Sequence, residues 1–141
     1  MREIRFRGKH KDGGWDYGLL SVGREGYEIV NTDGMGLFFH CPVDPSTVGQ
    51  YTGLKDKNGK DIYEGDVVIL TRRIAPYYGC PEEDMKTVYT TTKAIFDSGS
   101  FWLTGDRFSD NCHFHYNAED REIIGNIHDN PDLLKDGGQR G

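Results

Sequence analysis

The chain has 141 residues, a formal net charge of −6 and a hydrophobic fraction of 35%, the size of one ordinary domain with a modest core. No window approaches the ~18 consecutive apolar residues of a membrane-spanning helix, and Met1–Arg7 leads into no apolar stretch of a secretory leader. The acidic balance argues against a surface that follows phosphates along its whole length, and Cys41, Cys80 and Cys112, widely spaced and without a CxxC pair, read as reduced thiols in a cytoplasm.

Strand formers dominate. Ile, Val, Thr, Phe, Tyr and Trp number 42, whereas Ala, Leu, Met and Gln, the usual helix surface, number 16. The 19 glycines then act as punctuation between strands. Arg2–Arg7 alternates, with Ile4 and Phe6 on one face and Arg5 and Arg7 on the other, as a strand whose basic residues mark an edge. After a turn at Asp12-Gly13-Gly14, Tyr17–Val22 and Gly26–Val30 form a hairpin across Gly23–Gly26. Asn31–Gly36 is a polar turn leading into Leu37–His40. Pro42 and Pro45 predict an extended, irregular Cys41–Ser46, with Asp44-Pro45 able to open one helical turn.

Asn58-Gly59 is the strongest local signal, predicting a tight hairpin over Lys57–Lys60. Val67–Leu70 is a continuous apolar run, as in a buried strand. The segment 71–85, with Pro76, Tyr77, Tyr78, Gly79 and Pro81, reads as the longest irregular loop. Lys86–Phe96, Ser100–Thr104, Cys112–Tyr116 and Glu122–His128 supply further strands, and Asn130–Leu134 a capped C-terminal helical turn. The prediction is a single compact all-β domain over residues 1–135, an antiparallel barrel or sandwich of about ten short strands, followed by a disordered tail at 136–141.

The segment Val43–Val68, containing Gln50-Tyr51-Thr52-Gly53-Leu54-Lys55-Asp56-Lys57-Asn58-Gly59-Lys60-Asp61-Ile62-Tyr63-Glu64-Gly65-Asp66, resembles the YopX family of bacteriophage and prophage proteins. The close, Ile124-Gly125-Asn126-Ile127-His128-Asp129-Asn130-Pro131-Asp132-Leu133-Leu134, and the opening, Met1–Gly8, resemble that family too. The resemblance implies an all-β protein from a phage-derived gene in a bacterial cytoplasm, and it supplies no reaction. Tyr63-Glu64-Gly65-Asp66 ahead of Val67 also resembles the turn-then-strand entry of SH3-like barrels.

Four constellations bear on chemistry. Arg2, Arg5, Arg7, Lys9 and Lys11 give residues 1–11 a basic face that could meet nucleic acid. His113 and His115, one strand repeat apart, share a face, and with Cys112, His128 and Asp129 they could ligate a metal; solvent-facing histidines explain the same spacing. The aspartates 106, 110, 129 and 132 follow no ion-binding or acid/base spacing and suit turns and caps. Tyr77 and Tyr78, amphipathic aromatics in a loop, are candidates for a protein interface. No phosphate loop or cofactor motif is present. The resulting reading is a non-enzymatic accessory protein that binds a protein partner or itself. The alternative is a nucleic-acid-binding module using the N-terminal cations, with a metal-dependent enzyme behind both.

Overall fold

The computed structural model describes residues 3–97, 99–104, 118–134 and 139–140. The all-β expectation holds: ten antiparallel strands and three short 3-10 turns account for the regular structure of those residues. The chain divides into two compact units, residues 1–54 and 55–141, although no shift in composition marks the boundary.

In the first unit, β1 (Phe6–Lys9), β2 (Trp15–Gly23), β3 (Gly26–Thr32) and β4 (Phe38–Lys55) pair in sequence, and β1 also pairs with β4, so the ladder closes on itself. Closure works because two strands change partner. β2 pairs with β1 through Trp15–Gly18 and with β3 through Leu19–Gly23. β4 pairs with β3 through Phe38–Val43 and with β1 from Asp44 onward. The expected irregularity at Cys41–Ser46 is therefore a bend in one long strand. Asp44 Oδ1 accepts hydrogen bonds from the Ser46 amide at 3.0 Å and its hydroxyl at 2.8 Å, holding the bend without a helical turn. Pro45 sits where the register shifts, the position that a residue without an N–H tolerates best in a ladder.

A strand paired on both sides has no edge for lysine and arginine to guard. The expected polarity is also inverted: Arg7 in β1 is 5% exposed, whereas Ile4, two residues ahead of β1, is 61% exposed. The Arg7 guanidinium lies 4.7 Å from the centre of the Trp15 ring and that of Arg5 4.7 Å from the Tyr51 ring. Alternation identified the two faces, but the aromatic rings of β2 and β4 decided which face was covered.

In the second unit, β5 (Asp61–Tyr63) follows the turn after β4, and β6 (Asp66–Ile74) lies between β7 (Lys86–Asp97) and β9 (Arg121–Asn126). β7 also pairs with β8 (Ser100–Thr104) and, at Tyr89 and Thr90, with β10 (Gln139–Arg140). Ile62, Val68, Leu70, Ala94 and Leu103 form a buried cluster with Ile123 packed on it. β6 extends to Ile74, four residues past the apolar run, because Thr71–Ile74 pairs with Lys86–Tyr89. The irregular loop shrinks accordingly, and Glu82–Asp84 makes a 3-10 turn within it. Gln139 and Arg140 form a strand where the composition suggested only a tail. The C-terminal helical turn is present as a 3-10 turn at Pro131–Leu134.

Candidate functional site

The predicted residues scatter. Arg2, Cys112, His113 and His115 lie outside the described residues. His128 sits in the turn after β9, where its backbone N–H donates to Asn126 Oδ1 at 3.0 Å. Among the described residues, no three His, Cys, Asp or Glu side chains are grouped to hold a metal ion. Arg5 and Arg7 are engaged with rings. Lys9 donates its backbone N–H to Thr47 Oγ1 at 2.8 Å, and Lys11 lies exposed on the β1–β2 turn. Tyr77 and Tyr78 are both exposed; the Tyr77 hydroxyl donates to Asp84 Oδ2 at 2.7 Å, which raises its pKa, while Tyr78 is fully open to solvent.

A second exposed surface was not anticipated. The register places Leu19 beside Val30 and Val30 beside His40, with Tyr17 two residues before Leu19 and Phe38 two before His40 on the same outer face. Tyr17, Leu19 and Phe38 are 47%, 59% and 64% exposed. The opposite face of the same strands carries Leu20, Ile29 and Cys41 in register, and Ile29 is completely buried. Beyond Thr32 the chain turns through Asp33–Leu37. Asp33 Oδ1 accepts from the Met35 amide at 2.7 Å and the Leu37 amide at 3.1 Å, and the Asp33 N–H donates to the Leu37 carbonyl at 3.1 Å. Gly34 and Gly36 both have positive φ, at 79° and 107°, so this is a built turn that holds Met35 at 90% and Leu37 at 63% exposure. The signal was present in Leu37-Phe38-Phe39, where a half-solvated strand should alternate and does not.

Beneath that face lies a polar cluster. Cys41 is close to the Asp16 carboxylate, and His10 Nε2 is 3.7 Å from Asp16 Oδ2. Burial raises the Cys41 pKa, and the neighbouring negative charges of Asp16 and Glu28 raise it further. The thiol is thus kept protonated and poorly nucleophilic, the opposite of a catalytic cysteine. At one end of the same unit, a cleft of about 740 Å³ opens between the β1–β2 turn, the β2–β3 turn and the bend of β4.

In the second unit, Asp56 is 2% exposed. Its Oδ1 accepts from the amides of Asn58 at 2.9 Å and Lys60 at 3.0 Å, and its Oδ2 from the Ile123 amide at 3.0 Å. Burial pushes this carboxyl up, but the three N–H donors and nearby Lys60 outweigh it, leaving the pKa below its ordinary value. The turn it organises spans Lys57, Asn58 and Gly59, with Gly59 at φ 78°. The model of the family described as "YopX protein" matches residues 6–135. The chain belongs to the YopX family. In this YopX member, the Val43–Val68 segment owes its residues to structure: Asp56 and Gly59 build the turn, and buried Asp66 accepts from the Tyr63 amide at 2.8 Å. The YopX-like close does the same work around Gly125, where a Cβ would stand 2.4 Å from Asn130 Oδ1. Among solved structures, protein EF1440 from Enterococcus faecalis is similar in fold, with a TM-score of 0.55 at 21% identity over 95% of this chain and 99% of that one. No curated protein matches the chain. Among the described residues, no helix is long and apolar enough to cross a membrane.

Proposed function

We propose that this YopX-family chain is a non-enzymatic protein-binding module, an accessory protein of phage or prophage origin acting in the bacterial cytoplasm. The observation that carries the reading is the outer face of β2–β4 with its adjoining turn. Met35, Leu37, Phe38 and Leu19 are each more than half exposed, although the chain is too poor in aliphatic residues to waste them. Each such side chain stabilises by about 1.5–3 kcal/mol when fully buried, and contiguous apolar surface on a soluble protein usually marks an interface. The Asp33-centred turn presents Met35 and Leu37 in one conformation, so little ordering entropy opposes docking. Tyr78 offers a further anchor on the second unit.

The test is a double variant, Leu19→Ser with Phe38→Ser, compared with wild type and Tyr78→Ala. Light scattering across a concentration series reads self-association, and quantitative capture from a bacterial lysate reads other partners. The expected result is a specific assembly, with itself or another protein, that the double variant loses while keeping its fold. A wild type that stays monomeric and captures nothing beyond what the double variant captures would refute the reading.

A further inference from the structure

The cleft in the first unit has a composition of its own. Its wall is formed by Tyr27 and Val43, paired in register across β3 and β4, together with Pro42 and Pro45. Both prolines lack an N–H, so this wall offers few donors to an anion. The rim carries three carboxylates, Asp12, Glu25 and Asp44, against the Lys11 ammonium and the His10 imidazole, whose Nδ1 is 3.9 Å from Asp12 Oδ2.

The shape is held in place from behind. Thr47 Oγ1 donates to the Asp44 carbonyl at 2.6 Å and accepts the Lys9 amide at 2.8 Å, tying the bend of β4 to β1. Val43 rests directly on Gly8, where a Cβ would meet the valine side chain at 2.7 Å. The floor therefore cannot rise without breaking the β1–β4 contact. At about 740 Å³, the cleft is in the range that encloses a drug-sized ligand, far larger than a lone ammonium ion requires. An apolar wall of tyrosine, valine and proline bordered by negative charge suits a ligand that is apolar along its length and cationic at one point. Tyr27 adds an aromatic ring to the wall, and a ring face attracts a guanidinium or ammonium group.

We propose that this cleft binds an extended segment of a partner protein that places an arginine or lysine beside apolar residues. It is a contact surface additional to the outer apolar face and does not depend on it. Three-carboxylate charge disfavours phosphate-bearing and acidic ligands at the same place.

The test uses the full chain labelled with nitrogen-15 and three synthetic decapeptides. One carries two arginines among prolines and leucines, one replaces the arginines with glutamates, and one sets the two arginines among glycines and serines. The apolar-basic peptide is expected to shift the amide signals of Glu25–Tyr27 and Val43–Asp44 in a saturable way, more weakly as salt rises. The doubly reversed variant Asp12→Lys, Glu25→Lys, altered only at exposed turn positions, should bind it about tenfold more weakly. The Leu19→Ser, Phe38→Ser variant should bind it as wild type does, which separates this proposal from the preceding one. No saturable shift at these amides, equal binding of the glutamate or the glycine-serine peptide, or undiminished binding by the reversed variant would each overturn it.

Discussion

Replacing Asp56 with alanine removes the acceptor of three backbone N–H groups, the farthest of them 67 residues along the chain. The Asn58 and Lys60 amides lie in an exposed turn, so water can take over part of their bonding, and each loss costs about 1 kcal/mol. The Ile123 amide is different. Its side chain packs on the core cluster of Ile62, Val68, Leu70, Ala94 and Leu103, and a donor left without a partner there costs about 1–3 kcal/mol. The total is about 3–5 kcal/mol, a large share of the 5–15 kcal/mol typical of a domain. Asp56→Asn keeps the Oδ1 acceptor but sets an amide NH₂ against the Ile123 N–H, so about half that loss is expected. The assay is urea unfolding of the full chain in a Trp15→Phe background, where Trp102, on β8 of the same unit as Asp56, reports the transition. A loss below about 1 kcal/mol for Asp56→Ala would show that water replaces all three bonds, and the reasoning would fail.

The same carboxylate sets a pH dependence. Its folded pKa is lowered from the ordinary 3.8, so its ionised form contributes stability that is fully present above that value and is lost as pH falls through the folded pKa below it. Acid unfolding curves of wild type and Asp56→Asn should therefore converge only below pH 3.8. Gly125→Ala would bring a Cβ to 2.4 Å from Asn130 Oδ1 and 2.9 Å from Leu133 Cδ1; thermal unfolding should show a loss of about 1–3 kcal/mol, smaller when Asn130 is also replaced by glycine. Arg7→Met removes the cation stacked on Trp15, and a loss of about 1 kcal/mol or more should appear in Trp15 fluorescence melts. Cys41, with its raised pKa, should be alkylated more slowly at pH 7 in the folded protein than in urea, and Asp16→Asn should narrow that gap, as read by mass spectrometry.

Features of short range were legible from the residues alone. Asn58-Gly59 specifies its turn because glycine reaches the required φ of 78° at no steric cost. Val67, Val68 and Leu70 are buried, with Ile69 half-buried, because three β-branched residues followed by leucine suit a central strand. The family segments were legible for the same reason, since Asp56, Gly59, Asp66 and Gly125 meet local demands of turns and close approaches. The all-β class followed from the excess of β-branched and aromatic side chains.

What the residues could not show is which face of each strand is covered. Alternation separates Leu19 from Leu20 and Arg7 from Phe6, but the covering comes from strands that arrive later in the chain. Trp15 and Tyr51 lie against Arg7 and Arg5, so two members of the basic N-terminal run make ring contacts instead of facing open solvent. On the outer face of β2–β4, Tyr17, Leu19 and Phe38 stay open to solvent, a matter of topology rather than composition. The cleft likewise exists only because β4 leaves β3 for β1 at Asp44, bringing two prolines and two turns distant in sequence to one end of a closed sheet. Local geometry is set by nearest neighbours along the chain; exposure and concavity are set by which strands pair, and that only the tertiary structure decided.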